Sequence, residues 1–235
     1  MKLYTFLFLL TFSLVVKAQS LRLSPLDDST CLFTTWQTYQ GTPVSSHGLI
    51  KTTSAGAILI DTPWDTTQFQ PLLDSVKARF NQEVKLVIST HSHADRTAGL
   101  NYYASKGIQT YSSFSTWKIC GERSEPQAEH VFYHDTVFQL GNTTFQTFFP
   151  GAGHAPDNIV IWFPDNKLLY GGCFIKSTDA TDLGNRSDAN LGTWADAVRL
   201  TEKTFPHPKW IIPGHGSWES RKSLKHTLKL IRKVT

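Results

Sequence analysis

The sequence predicts an α/β protein built as a four-layer αββα sandwich, in which two mixed sheets face each other and helices cover both outer faces. Three observations lead there. Strand and helix patterns alternate, and the order strands, helix, strand, helix runs twice along 235 residues. Val84–Ser89 is a short, largely apolar strand segment, the pattern of a strand buried between layers. The composition, 40% hydrophobic and 18% charged, is that of an ordinary globular chain.

The elements follow in chain order. Leu32–Tyr39 alternates and is rich in Thr and aromatic residues, so it reads as a strand, and Gln40-Gly41-Thr42-Pro43 as the turn after it. His47–Thr53 and Ala57–Ile60 are the next strands. Asp65 or Thr66 caps a helix running to Phe80, with Leu72, Leu73, Val76 and Phe80 on one face. Strand Val84–Ser89 leads directly into His91. A helix over Thr97–Lys106, a strand over Ile108–Tyr111 and a helix over Phe114–Cys120 close the first half. The second half has strands at Val137–Leu140, Thr143–Phe149, Ile159–Phe163 and Lys167–Gly171. A helix over Thr193–Phe205, a strand at Trp210–Ile212 and a helix over Ser220–Lys233 complete it.

The first 18 residues stand apart. Lys2 precedes an apolar run from Leu3 to Val16, and Val16-Lys17-Ala18 offers small residues where a signal peptidase cuts, so 1–18 reads as a secretory signal peptide. The run is about 14 residues, short of the roughly 20 that span a bilayer. Residues 19–235 are then a single domain, expected to be monomeric and free of the membrane. The formal charge of +4 includes Lys2 and Lys17, and no Lys/Arg run interleaved with aromatics occurs outside the C-terminal helix, so no nucleic-acid partner is implied. Three cysteines, Cys31, Cys120 and Cys173, are too few for a disulfide framework.

Four strand ends carry chemistry. His91, His93 and Asp95 follow Val84–Ser89, His154 follows Thr143–Phe149, Cys173 follows Lys167–Gly171, and His215 follows Trp210–Ile212. In a layered fold such ends share one rim, where sites are built. Gly151, Gly153, Gly171, Gly172, Gly214 and Gly216 flank these donors, as loops with unusual backbone conformations require. Imidazole, thiolate and carboxylate are zinc ligands. Six are too many for one tetrahedral ion and divide into three and three, which leaves positions open for water, the mark of a catalytic site. Zinc lowers the pKa of bound water from about 16 to about 7, so hydrolysis is the expected chemistry. Cys31 and Cys120 have no such neighbours.

His91-Ser92-His93-Ala94-Asp95-Arg96, Gly153-His154, Gly171-Gly172-Cys173 and Pro213-Gly214-His215-Gly216 together resemble the metal motifs of the class B, or metallo-, beta-lactamases. The resemblance runs from Cys31 to the C-terminus. His91 separates the chain from the subclass with Asn as first ligand, and Arg96 with Cys173 from the subclass whose motif ends in Asp-His, so the similarity is to the first, broad-spectrum dizinc subclass. It implies two Zn2+ per chain, one on His91, His93 and His154, the other on Asp95, Cys173 and His215. It further implies that a zinc-bound hydroxide opens the beta-lactam ring of penicillins, cephalosporins and carbapenems in the periplasm, conferring antibiotic resistance. Asp95, Lys176 and Asn185 are then catalytic. Lys176 pairs with the substrate carboxylate, Asn185 polarises the carbonyl, and Trp64 lines an apolar wall. Asp61 and Arg96 lie beneath the ligands and orient them. A thioesterase or lactonase of the wider superfamily is the nearest alternative, disfavoured by export, Cys173, Lys176 and Asn185. A zinc protein without catalysis would need neither Lys176 nor Asn185.

Two departures are visible. Asn185 is followed by Arg186-Ser187-Asp188 where many relatives have Leu-Gly-Asp, and the hairpin tip Gly41–Ser46 carries no Trp or Phe. Arg186 is expected to add charge beside the pocket and to change substrate preference, and the hairpin tip to clamp bulky substrates more weakly. Pro43→Trp should lower KM for them, and unchanged steady-state constants would contradict the expectation.

Overall fold

The computed structural model describes residues 21–235. The predicted signal peptide, 1–18, and its cleavage point after Ala18 lie outside the described residues. The first sheet is a seven-stranded array in sequence order. Strands β1 (Arg22–Asp27), β2 (Thr30–Tyr39), β3 (Thr42–Thr53) and β4 (Gly56–Ile60) form an antiparallel meander. Strands β5 (Val84–Ile88), β6 (Gln109–Ser113) and β7 (His130–Phe132) then add in parallel. Helices α1 (Phe69–Phe80), α2 (Ala94–Thr97), α3 (Leu100–Ser105) and α4 (Phe114–Glu122) make the crossovers. The second sheet has the order β12-β11-β10-β9-β8, from β8 (Val137–Leu140), β9 (Thr143–Phe148), β10 (Val160–Phe163), β11 (Leu168–Gly172) and β12 (Trp210–Pro213). Helices α5 (Leu191–Thr204) and α6 (Ser223–Ile231) belong to this half.

Strand periodicity explains the layers. Along β4, Ala57 and Leu59 pack in one buried cluster with Leu72 and Val76 of α1, while Ile58 and Ile60 pack in another with Phe145 and Ile161 of the second sheet. Along β12, Ile212 joins the cluster between the sheets and Ile211 joins Trp194 and Val198 of α5 and Leu224 of α6. Alternate side chains of one strand thus serve two cores, so the central strands read as apolar runs without alternation. Three stacked cores make four layers, αββα, as predicted.

Several boundaries differ from the sequence reading, each for a physical reason. The predicted reading has no strand at 22–27, because Pro25 breaks the pattern; β1 lies at the sheet edge, where a missing N–H is tolerated. Strand β7 has three residues, too few for periodicity to register. The β2–β3 hairpin is longer than expected. Thr42–Ser46 still pairs with Thr35–Tyr39, and the turn is Gln40-Gly41 alone, with φ of 48° and 79°. Two positive φ values are what a tight hairpin turn with the strand twist requires. The single helix expected over Thr97–Lys106 is two, α2 and α3, meeting at Ala98-Gly99. There a Cβ on Gly99 would lie 2.8 Å from the Tyr103 ring.

Gly48 on β3 marks the tightest contact between strand and core. A Cβ there would come within 2.0 Å of the Phe33 ring and 2.7 Å of the Ile60 carbonyl oxygen. Gly48→Ala is expected to lower stability by about 1–3 kcal/mol, the usual cost of overpacking, measured as a lower urea midpoint with unchanged slope.

Candidate metal centre

The segments that follow β5, β9, β11 and β12, with Asp95 in the first turn of α2, bring together all six donors that the sequence singles out. His91 Nε2 lies 3.2 Å from His93 Nδ1, which lies 3.1 Å from His154 Nε2. Cys173 Sγ lies 3.2 Å from His215 Nε2 and 3.5 Å from Asp95 Oδ2, and His215 Nε2 lies 3.2 Å from Asp95 Oδ2. The two triads adjoin, since ligand atoms of His91, His154 and Cys173 all lie within 4.8 Å of one another.

These donors fit metal ions. A tetrahedral ion bonded to nitrogens at about 2.0–2.1 Å holds them about 3.3 Å apart. Protons cannot serve as well: the Nε2–H of His93 donates to Asp188 Oδ2 at 2.8 Å, so its Nδ1 has one lone pair for two facing nitrogens. A cation at the centre satisfies all three. In the other triad His215 Nδ1 donates to the Ser45 carbonyl oxygen at 2.5 Å, which turns Nε2 toward Cys173 and Asp95. His91 Nδ1 lies 3.4 Å from the Thr90 hydroxyl, while the buried His154 Nδ1 has no partner among the described residues.

Arg96 lies beneath the second triad and is fully buried. Its Nη2 donates to Asp95 Oδ2 at 2.8 Å, Cys173 Sγ at 2.9 Å and the Gly214 carbonyl oxygen at 3.2 Å. Its Nη1 donates to the His47 carbonyl oxygen at 2.6 Å and to Asp61 Oδ2 at 3.2 Å. Asp61 also accepts from Tyr170 Oη at 2.8 Å and from the Thr90 N–H at 2.7 Å. It therefore reaches His91 only through Thr90.

Electrostatics follow from this packing. Burial raises the Asp61 carboxyl to about 6, although Arg96 and Tyr170 pull it down. Burial acts the same way on Asp95, but there Arg96 and His215 prevail and hold it well below the usual carboxylate range. Desolvation pulls the His215 imidazole down, yet Cys173 and Asp95 outweigh it and raise the group to about 10 in the metal-free protein.

The glycines divide into two kinds. Gly172, at φ 53°, takes a conformation that side chains disfavour. Gly214 is needed for space, because a Cβ would stand 2.7 Å from Arg96 Nη2 and 2.8 Å from Cys173 Sγ.

His93, Asp95, His154, Cys173 and His215 line one cavity of about 600 Å3 together with Trp64, Lys176 and Asn185. Lys176 is buried, with Nζ 5.4 Å above the Trp194 ring, and burial lowers its pKa although Cys173 and Asp95 oppose the shift. Asn185 is exposed; its Oδ1 accepts from the Ser187 N–H at 3.1 Å, which leaves its amide hydrogens available. Three participants escape the sequence reading. Tyr39, at the hairpin end, lines the cavity and packs on Trp64 at 5.7 Å, so an aromatic stands beside the tip after all. Asp188 braces His93, and its neighbour Arg186 is exposed and lines no part of the cavity. His47 joins the sheets. No local pattern marks these three, whose partners lie far away in sequence. Cys31 and Cys120 are buried and free.

Two facing sheets whose strand ends gather imidazole, carboxylate and sulfur donors in one open cavity describe a metal-dependent hydrolase. The particular family follows from comparison: the chain belongs to the metallo-beta-lactamase superfamily, whose family model matches residues 42–226. It is 37% identical over 210 residues to a metallo-beta-lactamase type 2 of Elizabethkingia meningoseptica, covering 89% of this chain and 84% of that one. It is 33% identical over 213 residues to a metallo-beta-lactamase type 2 of Bacillus cereus, covering 91% of this chain and 83% of that one. Among solved structures, a metallo-beta-lactamase from Pontibacter korlensis superposes with a TM-score of 0.88 at 36% identity, covering 91% of this chain and 99% of that one.

Two predictions follow from the charges under the site. Arg96→Ala removes the cation shared by buried Asp61 and Asp95 and should cost about 3–5 kcal/mol; Arg96→Lys should recover only part of that, since one ammonium cannot span both carboxylates. Urea unfolding of both variants checks this. His47 is buried, with Nε2 donating to the Gly216 carbonyl oxygen at 2.6 Å and Nδ1 accepting from Thr34 at 3.0 Å. Burial, with the nearby His215 and Arg96, lowers its pKa from 6.5 to about 4 against the opposing Gly216 bond. Below 6.5 the unfolded chain takes up a proton that the folded chain refuses until about 4, so stability is lost as pH falls through that window. Relative to His47→Gln, the wild type should lose about 2 kcal/mol between about pH 7 and about pH 5, at roughly 1.36 kcal/mol per pKa unit.

Proposed function

We propose that this protein is a dizinc beta-lactamase of the first subclass, which hydrolyses penicillins, cephalosporins and carbapenems and so confers antibiotic resistance. The observation that carries this reading is that Lys176 and Asn185 line the same cavity as five of the six donors, His93, Asp95, His154, Cys173 and His215. His91, His93 and His154 would hold one ion, and Asp95, Cys173 and His215 the other. Zinc held there supplies acidified water as a nucleophile at neutral pH and a positive charge for the leaving nitrogen.

The chain's own residues do the rest. The buried Lys176 ammonium receives the carboxylate that every substrate of this class carries beside its lactam nitrogen. The Asn185 amide hydrogens donate to the lactam carbonyl oxygen as it gains charge; such a donor is worth up to about 3–4 kcal/mol where it acts alone. Trp64 and Tyr39 cover the apolar part of the substrate and exclude water from that side. Asp95 stays ionised because Arg96 donates to it, and Asp188 and the Ser45 carbonyl oxygen fix the tautomers of His93 and His215. The leader at 1–18 would export the chain to the periplasm, where a monomer suffices for this cavity. Among the described residues no helix is long and apolar enough to cross a membrane.

The test is direct. The zinc-loaded protein should turn over a carbapenem and a chromogenic cephalosporin, lose the activity to a chelator, and regain it when zinc is restored. Absence of turnover by the zinc-loaded protein would overturn the proposal, and turnover of a thioester in its place would favour a different hydrolase of the superfamily.

A further inference from the structure

A second cavity, of about 460 Å3, shares no lining residue with the metal centre. Its wall is aromatic: Phe114, Phe132, Tyr133 and Phe149 line it. Phe114 stacks on Tyr133 at 4.9 Å and 25°, and on Trp117 at 5.9 Å and 19°. Most of these rings face solvent, with Phe114 and Trp117 37% exposed, Phe149 47% and Tyr133 68%. Among the described residues nothing covers these rings at the mouth of the cavity.

The chemistry inside is acidic. Asp157 lines the cavity and is 1% exposed. Its Oδ1 accepts from the Ser92 hydroxyl at 3.3 Å, while its buried Oδ2 has no hydrogen-bond partner among the described residues. Among the described residues no Lys or Arg comes within ion-pair distance of it, although the Arg123 charge is felt from farther away. Burial raises its carboxyl pKa, against the Thr116 and Ser92 hydroxyls and its own backbone N–H. Asp135, which accepts from the Phe149 N–H at 2.7 Å, is a second carboxylate in the lining, and His134 the only lining residue able to carry positive charge. A buried carboxylate oxygen without a donor is costly, and aromatic faces attract cations through their quadrupoles. Both features call for the same guest.

We propose that this cavity binds a small organic monocation, an amine or quaternary ammonium bearing an apolar group, with its charge toward Asp157 Oδ2 and its apolar body among Phe114, Tyr133 and Phe149. The binding surface adjoins the metal loop, because Ser92, which donates to Asp157, stands between His91 and His93.

Benzyltrimethylammonium is the probe, titrated into the metal-loaded protein and followed by calorimetry and by amide chemical shifts, with uncharged benzyl alcohol as comparator. Saturable binding is expected, about tenfold or more tighter than benzyl alcohol, with shifts gathered at residues 113–115, 132–135 and 157. Asp157→Asn should abolish the preference for the charged probe. Should that variant not fold, Tyr133→Ala and Phe114→Ala, at exposed positions, should each weaken binding several-fold. The proposal is overturned if no saturation is seen, if benzyl alcohol binds as well as the cation, if the shifts gather at His93, Asp95 and Lys176, or if the ring variants bind unchanged.

Discussion

The structure depends on one buried guanidinium. Arg96 leaves α2 and touches β3 through the His47 carbonyl oxygen, the end of β4 through Asp61, and the loops after β11 and β12 through Cys173 and Gly214. Those partners come from both sheets. A positive charge without solvent is tolerable only where anions and carbonyl oxygens surround it, and here two carboxylates and a sulfur do so. The planar fork of arginine reaches them with two nitrogens at fixed spacing, which a lysine cannot do. The same contacts that make the charge tolerable also aim Asp95 and Cys173 into the cavity, so stability and site geometry rest on one side chain.

The layered fold turns this local arrangement into an open site. The inner strands are filled mainly by apolar side chains packed into the two cores on either side, and the ligating residues gather where strands end. Four ends share one rim, and each supplies one to three donors. The loops beyond hold the imidazoles from behind: Asp188 through Nε2 of His93, and the hairpin residue Ser45 through Nδ1 of His215. Arg123 in turn donates to Asp188 at 2.9 Å, which extends the brace to the end of α4. His154 differs, since its Nδ1 has no such support.

Much of this was legible in the chain. Helix α1 shows its Leu72 and Val76 face, the apolar run of β5 shows a strand buried between layers, and the donors show themselves because each follows a strand within a few residues. Two strands and one cavity residue carry no such signal. Strand β7 is too short and β1 too interrupted by Pro25 to carry a period. Tyr39 looks like one more alternating strand residue until the hairpin is seen to extend past the sheet and fold over the cavity.

The sequence by itself determined the alternation of strands and helices, the apolar runs that require layers on both sides, and the ligand types waiting at the strand ends, because these are local properties of period and composition. Only the tertiary structure decided which donors stand together and what supports them. Arg96 meets Gly214 across 118 residues, and His93 meets Asp188 across 95. No local pattern encodes such pairs, which exist only once the two sheets have packed and set their rims side by side.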